Sequence, residues 1–121
     1  SVFENSKIIS SSDLVVEFEL DGMQFMALNG GPRFKFTEAI SFVVLCKDQA
    51  EVDYYWDSFV SNGGQEDMCS WCKDKYGLSW QVIPVRFLEM MKTGNPDQVK
   101  RVFDLMLTMR KLVIEEFEKV F

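Results

Sequence analysis

Apolar and polar positions alternate near the start of the chain. Within residues 14–20, Val16, Phe18 and Leu20 alternate with two glutamates, a period of two that predicts a half-buried strand. Asp21-Gly22 follows, which is the strongest short signal for a β-hairpin, and residues 23–29 form the returning strand. A short apolar run at residues 7–10 precedes this hairpin and ends in a serine-rich turn.

The pattern changes after the break at Gly30-Gly31-Pro32. Residues 39–46 are apolar and β-branched, which predicts a buried strand, and residues 48–61 have helical spacing with Asp48 as the N-cap. Asn62-Gly63-Gly64 ends that helix. Residues 66–73 and 78–84 then predict two further strands joined by a four-residue hairpin loop.

The remainder of the chain is helical in pattern. Residues 85–92 predict a short helix, and Asn95-Pro96 with Gln98 opens another as a capping box. Its apolar stripe consists of Val99, Val102, Phe103, Met106 and Met109. Residues 112–121 repeat the helical pattern more weakly. Strands followed by helices indicate an α+β protein.

Composition and charge exclude several classes of function. A net charge of −6 with scattered basic residues argues against nucleic acid as a partner. No apolar stretch is long enough to span a membrane, and no signal peptide opens the sequence, so a cytoplasmic protein is expected. Three cysteines suit a reducing compartment. The absence of histidine excludes Ser-His-Asp and Cys-His catalysis.

Five stretches together resemble one known family along nearly the whole chain. They read VEFELDG at 16–22, FMALNGGP at 25–32, EAISFVV at 38–44, VDYYW at 52–56 and KDKYGLSWQVIP at 73–84. In these stretches the chain is similar to the 3-demethylubiquinone 3-methyltransferase-like, or PhnB-like, family of the glyoxalase/bleomycin-resistance (vicinal oxygen chelate) superfamily. The resemblance implies paired βαβββ modules that form a curved mixed sheet around a ligand cup.

The resemblance also implies an organisation for this chain. Residues 1–32 correspond to a first module without its opening strand and helix, residues 33–84 to the second module, and residues 85–121 to a helical extension of one glyoxalase-like domain. Because an uncovered sheet edge pairs readily with other chains, we expect either residues outside this sequence or a partner subunit to fill the gap, and we expect a homodimer.

The superfamily typically chelates a metal ion at positions that fall, by resemblance, near Ser41 and Gln81 in the second module. A hydroxyl and a neutral amide bring no charge to a divalent cation, so no metal and no cofactor are expected. The methyltransferase part of the family name also lacks support, because no G-x-G-x-x-G opens a βαβ unit that could seat S-adenosylmethionine.

Glu17 and Glu19 are the candidate catalytic residues. At positions i and i+2 of a strand they share one face about 7 Å apart, because a strand rises about 3.3 Å per residue. Inside a cup such a pair could perform acid/base chemistry. The alternative is the ordinary solvated face opposite an apolar strand face.

Cys69 and Cys72 form a C-x-x-C sequence. Redox and zinc sites use this spacing at a helix N-terminus or in a knuckle, whereas here it falls within a predicted strand. Residues three apart on a strand point to opposite faces, so we expect free thiols.

The candidate ligand cup combines flat rings with a few softer or polar groups. Its predicted members are Phe25, Met26, Ser41, Trp71, Trp80 and Gln81. Core packing of the same rings is the alternative. The sequence thus predicts metal-free binding of a small organic molecule. A metal-independent enzyme that uses Glu17 or Glu19 is the second hypothesis, and a structural interaction module the third.

Overall fold

The computed structural model describes all residues, 1–121, and has a mixed α+β fold with seven strands and four helices. The α+β prediction is confirmed. The chain divides into two compact units, Ser1–Lys35 and Phe36–Phe121, each with its own sheet. None of the helices is both long enough and apolar enough to cross a membrane.

The first unit is a three-stranded antiparallel meander. Its strands are β1 (Ser6–Ser11), β2 (Val15–Leu20) and β3 (Met23–Leu28), in the order β1-β2-β3. The β2–β3 turn uses Asp21 at φ 51° and Gly22 at φ 82°. Two consecutive residues with positive φ form the type I′ turn that matches strand twist, which confirms the predicted hairpin.

Both faces of the first sheet remain accessible to solvent. One face carries Phe18, which stacks on Phe25 with 5.4 Å between the ring centroids. The opposite face carries Glu17, whose partner across the β2–β3 pair is Met26. No residue from 1 to 35 is buried, so this unit has cross-strand contacts but no enclosed core.

The second unit contains a four-stranded sheet. Its strands are β4 (Ser41–Cys46), β5 (Gln65–Glu66), β6 (Trp71–Lys73) and β7 (Ser79–Pro84), in the spatial order β4-β7-β6-β5. Strand β4 pairs in parallel with β7, and the β7–β6 and β6–β5 pairs are antiparallel. With a helix between β4 and β5, this unit has the βαβββ order that the family resemblance implies, whereas the sequence pattern alone predicted two strands after the helix.

Helix α1 (Gln49–Val60) covers one face of this sheet. The Asp48 side chain accepts the Glu51 backbone N–H, as predicted for the N-cap. The helix buries Val52, Trp56 and Phe59. The helix packs against β4, β6 and β7, whose buried residues include Val44, Cys46, Cys72, Trp80 and Val82.

The single strand predicted over residues 66–73 is wrong. The structure divides it into β5 and β6 with a turn at residues 67–70, where Cys69 (φ 60°) and Ser70 (φ 77°) both have positive φ. The Cys69 and Ser70 amides donate to the Met109 and Arg110 carbonyls. Tertiary hydrogen bonds from a distant segment therefore override the local strand pattern.

Three helices follow β7 directly. They are α2 (Val85–Thr93), α3 (Pro96–Met106) and α4 (Ile114–Val120), and Asn95 and Gln98 form the predicted capping box of α3. The last helix begins two residues later than predicted, because the Gln49 side chain holds the Leu112 carbonyl and the Ile114 N–H. The three helices share a core of Phe87, Met90, Val102, Leu112 and Phe117.

Gly64 lies where the end of α1 meets β6, and this close approach predicts that the protein does not tolerate a side chain at position 64. A Cβ added there would overlap the carbonyl oxygens of Phe59 and Lys73. Since neither backbone atom can move freely, Gly64→Ala is expected to lower the free energy of unfolding by about 2–3 kcal/mol. Urea denaturation measures this change.

Gly30→Ala is the control, because a Cβ at Gly30 would meet only a side-chain atom of Leu28 at 3.9 Å. Its effect should stay within about 0.5 kcal/mol. Equal stability of the two variants would contradict the tight approach at Gly64.

Candidate functional site

The side of the second sheet away from α1 is the candidate site, and we call it the outer face. Because side chains alternate along a strand, register assigns to it Ser41, Val43, Leu45, Trp71, Lys73, Ser79 and Gln81. Val43 and Leu45 are 51% and 56% exposed. A sheet face that exposes large apolar side chains beside polar groups is typical of a binding surface.

Gln81 and Ser41 form the polar centre of the outer face. The Gln81 Nε2 donates to the Ser41 Oγ at 2.9 Å across the β4–β7 pair. Trp71 is the partner of Gln81 on β6 and is half-buried. Three of the residues predicted to contact a ligand are therefore neighbours on one surface.

Trp80 lies on the other side of the same strand. Its ring stacks on Phe59 of α1, with 4.5 Å between centroids and 14° between planes, and its Nε1 donates to the Asp74 carboxylate at 2.9 Å. With 8% of its surface exposed, Trp80 packs in the core beneath the helix. Strand alternation separates it from its neighbour Gln81.

Lys73 and Ser79 also belong to the outer face, although the sequence pattern did not single them out. They are register partners on β6 and β7, and Ser79 is likewise the partner of Ser41. The Lys73 ammonium pairs with the Glu38 carboxylate, and this hydrogen bond lowers the pKa of Glu38. Ser79 and Gln81 are two residues apart on one strand, so they share a face. This spacing is the sequence signal that could have placed Ser79 beside the predicted Gln81.

Phe25 and Met26 lie in the first unit, on opposite faces of β3. Phe25 stacks on Phe18, whereas Met26 is 65% exposed beside Glu17. A depression of about 220 Å³ is lined by Ile9, Glu17, Gln24, Phe25 and Met26. Its volume is below the roughly 300 Å³ at which small-molecule pockets begin.

Glu17 and Glu19 share a face of β2, as the alternation predicts, and each has a separate partner on β1. The Ser10 hydroxyl donates to the Glu17 carboxylate at 3.1 Å, and the Lys7 ammonium lies 3.8 Å from the Glu19 carboxylate. Both glutamates are half-buried. These contacts hold the two carboxylates against β1 on an accessible strand face.

Ser41 and Gln81, the positions at which the resemblance implied metal ligands, do not fit a divalent cation. The Ser41 hydroxyl already accepts from the Gln81 amide, and both groups are neutral. Nowhere in the chain do three His, Cys, Asp or Glu side chains converge in a way that could hold a metal ion.

The C-x-x-C sequence spans the turn between β5 and β6. Cys69 lies in the turn, and its thiol approaches the Leu107 carbonyl at 3.8 Å, while Cys72 lies on β6 and is 1% exposed. The three cysteines are free, as expected. The expectation of free thiols assumed that both cysteines lie in one strand, whereas Cys69 lies in the turn before β6.

A second concave surface lies where the parallel strands β4 and β7 end. This groove of about 540 Å³ is lined by Lys47, Asp48, Gln49, Val85, Arg86, Glu89, Ile114 and Glu115. Arg86 there is engaged in ion pairs with Glu89 and Glu118. None of the residues predicted to bind a ligand lies in this groove.

Burial predicts different reactivities for the three thiols. It raises the pKa of Cys46 and of Cys72 to about 12, and only thiolates react rapidly with disulfide reagents. At pH 8, Ellman's reagent should label one thiol in the folded protein and two more after denaturation. Cys69→Ser should remove the rapid phase, and three rapid equivalents in the folded protein would contradict the assignment.

Comparison with known proteins agrees with this architecture. A family model described as 3-demethylubiquinone-9 3-methyltransferase matches residues 1–83. A solved Bacillus cereus protein, named provisionally a 3-demethylubiquinone-9 3-methyltransferase, PhnB protein, superimposes with a TM-score of 0.62 at 29% identity, covering 69% of this chain and 82% of that chain. No curated protein matches. The chain therefore belongs to the 3-demethylubiquinone-9 3-methyltransferase family and has its PhnB-like, glyoxalase-type fold.

Proposed function

We propose that the protein binds a small organic molecule on the outer face of its second sheet, without the help of a metal ion. The observation that carries this proposal is the hydrogen-bonded Gln81–Ser41 pair beside half-buried Trp71 and exposed Val43. An aromatic ring next to a few fixed polar groups is the usual composition of a ligand site.

Transfer of a methyl group from S-adenosylmethionine is not part of the proposal. Nucleotide-type cofactors of this kind are commonly held where a strand passes through a glycine-rich turn into a helix. Both strand-to-helix junctions in this chain, β4–α1 through Lys47-Asp48 and β7–α2 through Pro84, lack glycine. Gly30 and Gly31 follow β3 and lead into no helix. The residues present do not fit that cofactor.

The metal-independent enzyme remains the alternative. A carboxylate that acts as a general base needs a poised environment and access to the substrate. Glu17 and Glu19 instead have partners in Ser10 and Lys7 on an accessible strand face. These contacts favour binding without turnover.

The expected homodimer stays a prediction. The outer edge of β3 has no neighbouring strand, whereas the corresponding edge of β7 is covered by β4. Free edges of this kind pair with other strands. Light scattering of the purified protein determines whether two copies associate.

Trp71 provides the test of the binding proposal. Ligand-observed NMR with single-ring aromatic fragments, both neutral and charged, should detect binding that a chelator does not change. Trp71→Ala should weaken this binding about fivefold, because ring stacking contributes about 1 kcal/mol. Gln81→Ala should weaken it as well.

Tyr76→Ala is the matched control, since Tyr76 is a 74% exposed aromatic residue in the β6–β7 loop. It should leave fragment binding unchanged. Loss of binding on addition of chelator, or equal effects of the Trp71 and Tyr76 substitutions, would contradict metal-free binding on the outer face.

A further inference from the structure

Ser79 carries an unpartnered polar atom in the second unit. Its side chain is 1% exposed, and its Oγ has no hydrogen-bond partner. Buried hydroxyl groups are nearly always paired, because an unmade hydrogen bond in a low-dielectric environment is unfavourable. The Ser79 hydroxyl therefore indicates a position at which a hydrogen-bond partner is missing.

The neighbours of Ser79 are hydrogen-bond donors. Strand register places Lys73 on one side of it and Ser41 on the other, in one row across β6, β7 and β4. The Ser41 Oγ accepts from Gln81 and keeps its own hydrogen for donation. We call these three residues, Lys73, Ser79 and Ser41, the donor row. An ammonium and two hydroxyl groups in a line suit an acceptor with several lone pairs.

Glu38 already provides one such acceptor from within the chain. Its carboxylate binds the Lys73 ammonium, and the hydrogen bond from Lys73 lowers the pKa of Glu38, so the carboxylate remains charged at neutral pH. Glu38 lies in the segment before β4 and outside any strand or helix. Its side chain is 57% exposed, so it can leave Lys73 without disturbing a core.

We propose that the donor row recognises the acidic group of a small organic anion, which replaces the Glu38 carboxylate at Lys73 and accepts a hydrogen bond from Ser79. This inference rests on the proposed function and adds the ligand's chemical class. The anion's apolar part contacts Trp71 and Val43, and Glu38 occupies the position of the acidic group when no ligand is bound. Glu38 thus competes with the ligand for one cation.

Benzoate and benzamide are the probes for this proposal. They have the same ring and nearly the same shape, but only benzoate is charged. Calorimetric titration of the wild-type protein should show tighter binding of benzoate. Glu38→Gln should strengthen benzoate binding about tenfold, and Lys73→Gln should weaken it about tenfold, either change corresponding to about 1.4 kcal/mol. Benzamide binding should respond to neither substitution.

Two variants separate recognition from effects on folding. Lys75→Gln removes a nearby lysine that instead lies over the Tyr76 ring, and it should not change benzoate binding. Ser79→Ala removes the unpaired hydroxyl, so it should raise the melting temperature of the free protein while weakening benzoate binding. A purely structural serine would not produce these opposite effects.

The outcomes also distinguish this inference from the function on which it rests. Equal binding of the two probes, unchanged by Glu38→Gln and Lys73→Gln, would overturn the anion inference and leave small-molecule binding intact. Failure of both probes to bind the wild type and the Glu38→Gln variant would overturn both proposals.

Discussion

The packing of helix α1 on the second sheet is the interaction on which the rest of this unit depends. Phe59 stacks on Trp80, and Trp56 is buried between the helix and the sheet while its Nε1 reaches the Glu66 carboxylate at 3.2 Å. These contacts cover the inner face of the sheet. Since side chains alternate along a strand, the residues of β7 point in turn toward α1 and toward the outer face. The candidate site thus lies on the side of the sheet that α1 does not cover.

The polar groups on the strands of the outer face are two hydroxyls, an amide and an ammonium, which belong to Ser41, Ser79, Gln81 and Lys73. None of these groups brings the negative charge that a divalent cation prefers in its ligands. All of them can donate hydrogen bonds. The chemistry of this face therefore suits an acceptor of hydrogen bonds better than a cation.

Much of the fold could be predicted from local signals. The Asp21-Gly22 turn, the Asp48 N-cap and the Asn95 capping box each determine the backbone within a few residues, and each was correct. The division of residues 66–73 could not be predicted, because its cause is a pair of hydrogen bonds from Cys69 and Ser70 to Met109 and Arg110, forty residues further along the chain. Tertiary contacts of this kind leave no periodic signal in the sequence.

The site was predicted less completely than the fold, for a physical reason. Period-two alternation shows that adjacent residues of a strand point to opposite faces of the sheet, but it does not show which face a helix covers. Trp80 and Gln81 were therefore grouped together, although one is in the core and the other on the surface. The ion pair of Lys73 with Glu38 joins residues far apart in sequence, and only the folded chain brings them together.

The hydrogen bonds from the 67–70 turn to Met109 and Arg110 have a consequence for how the protein can vary. They connect the helical extension, which lies outside the part matched by the family model, to the residue immediately before Trp71. Ser70 is tied on both sides, since its carbonyl also accepts the Val82 N–H. Changes in the segment between α3 and α4 can therefore shift the start of β6 and, with it, the spacing of the Trp71 ring and the Lys73 ammonium on that strand. Substitutions at residues that lie outside the proposed site can in this way alter its shape.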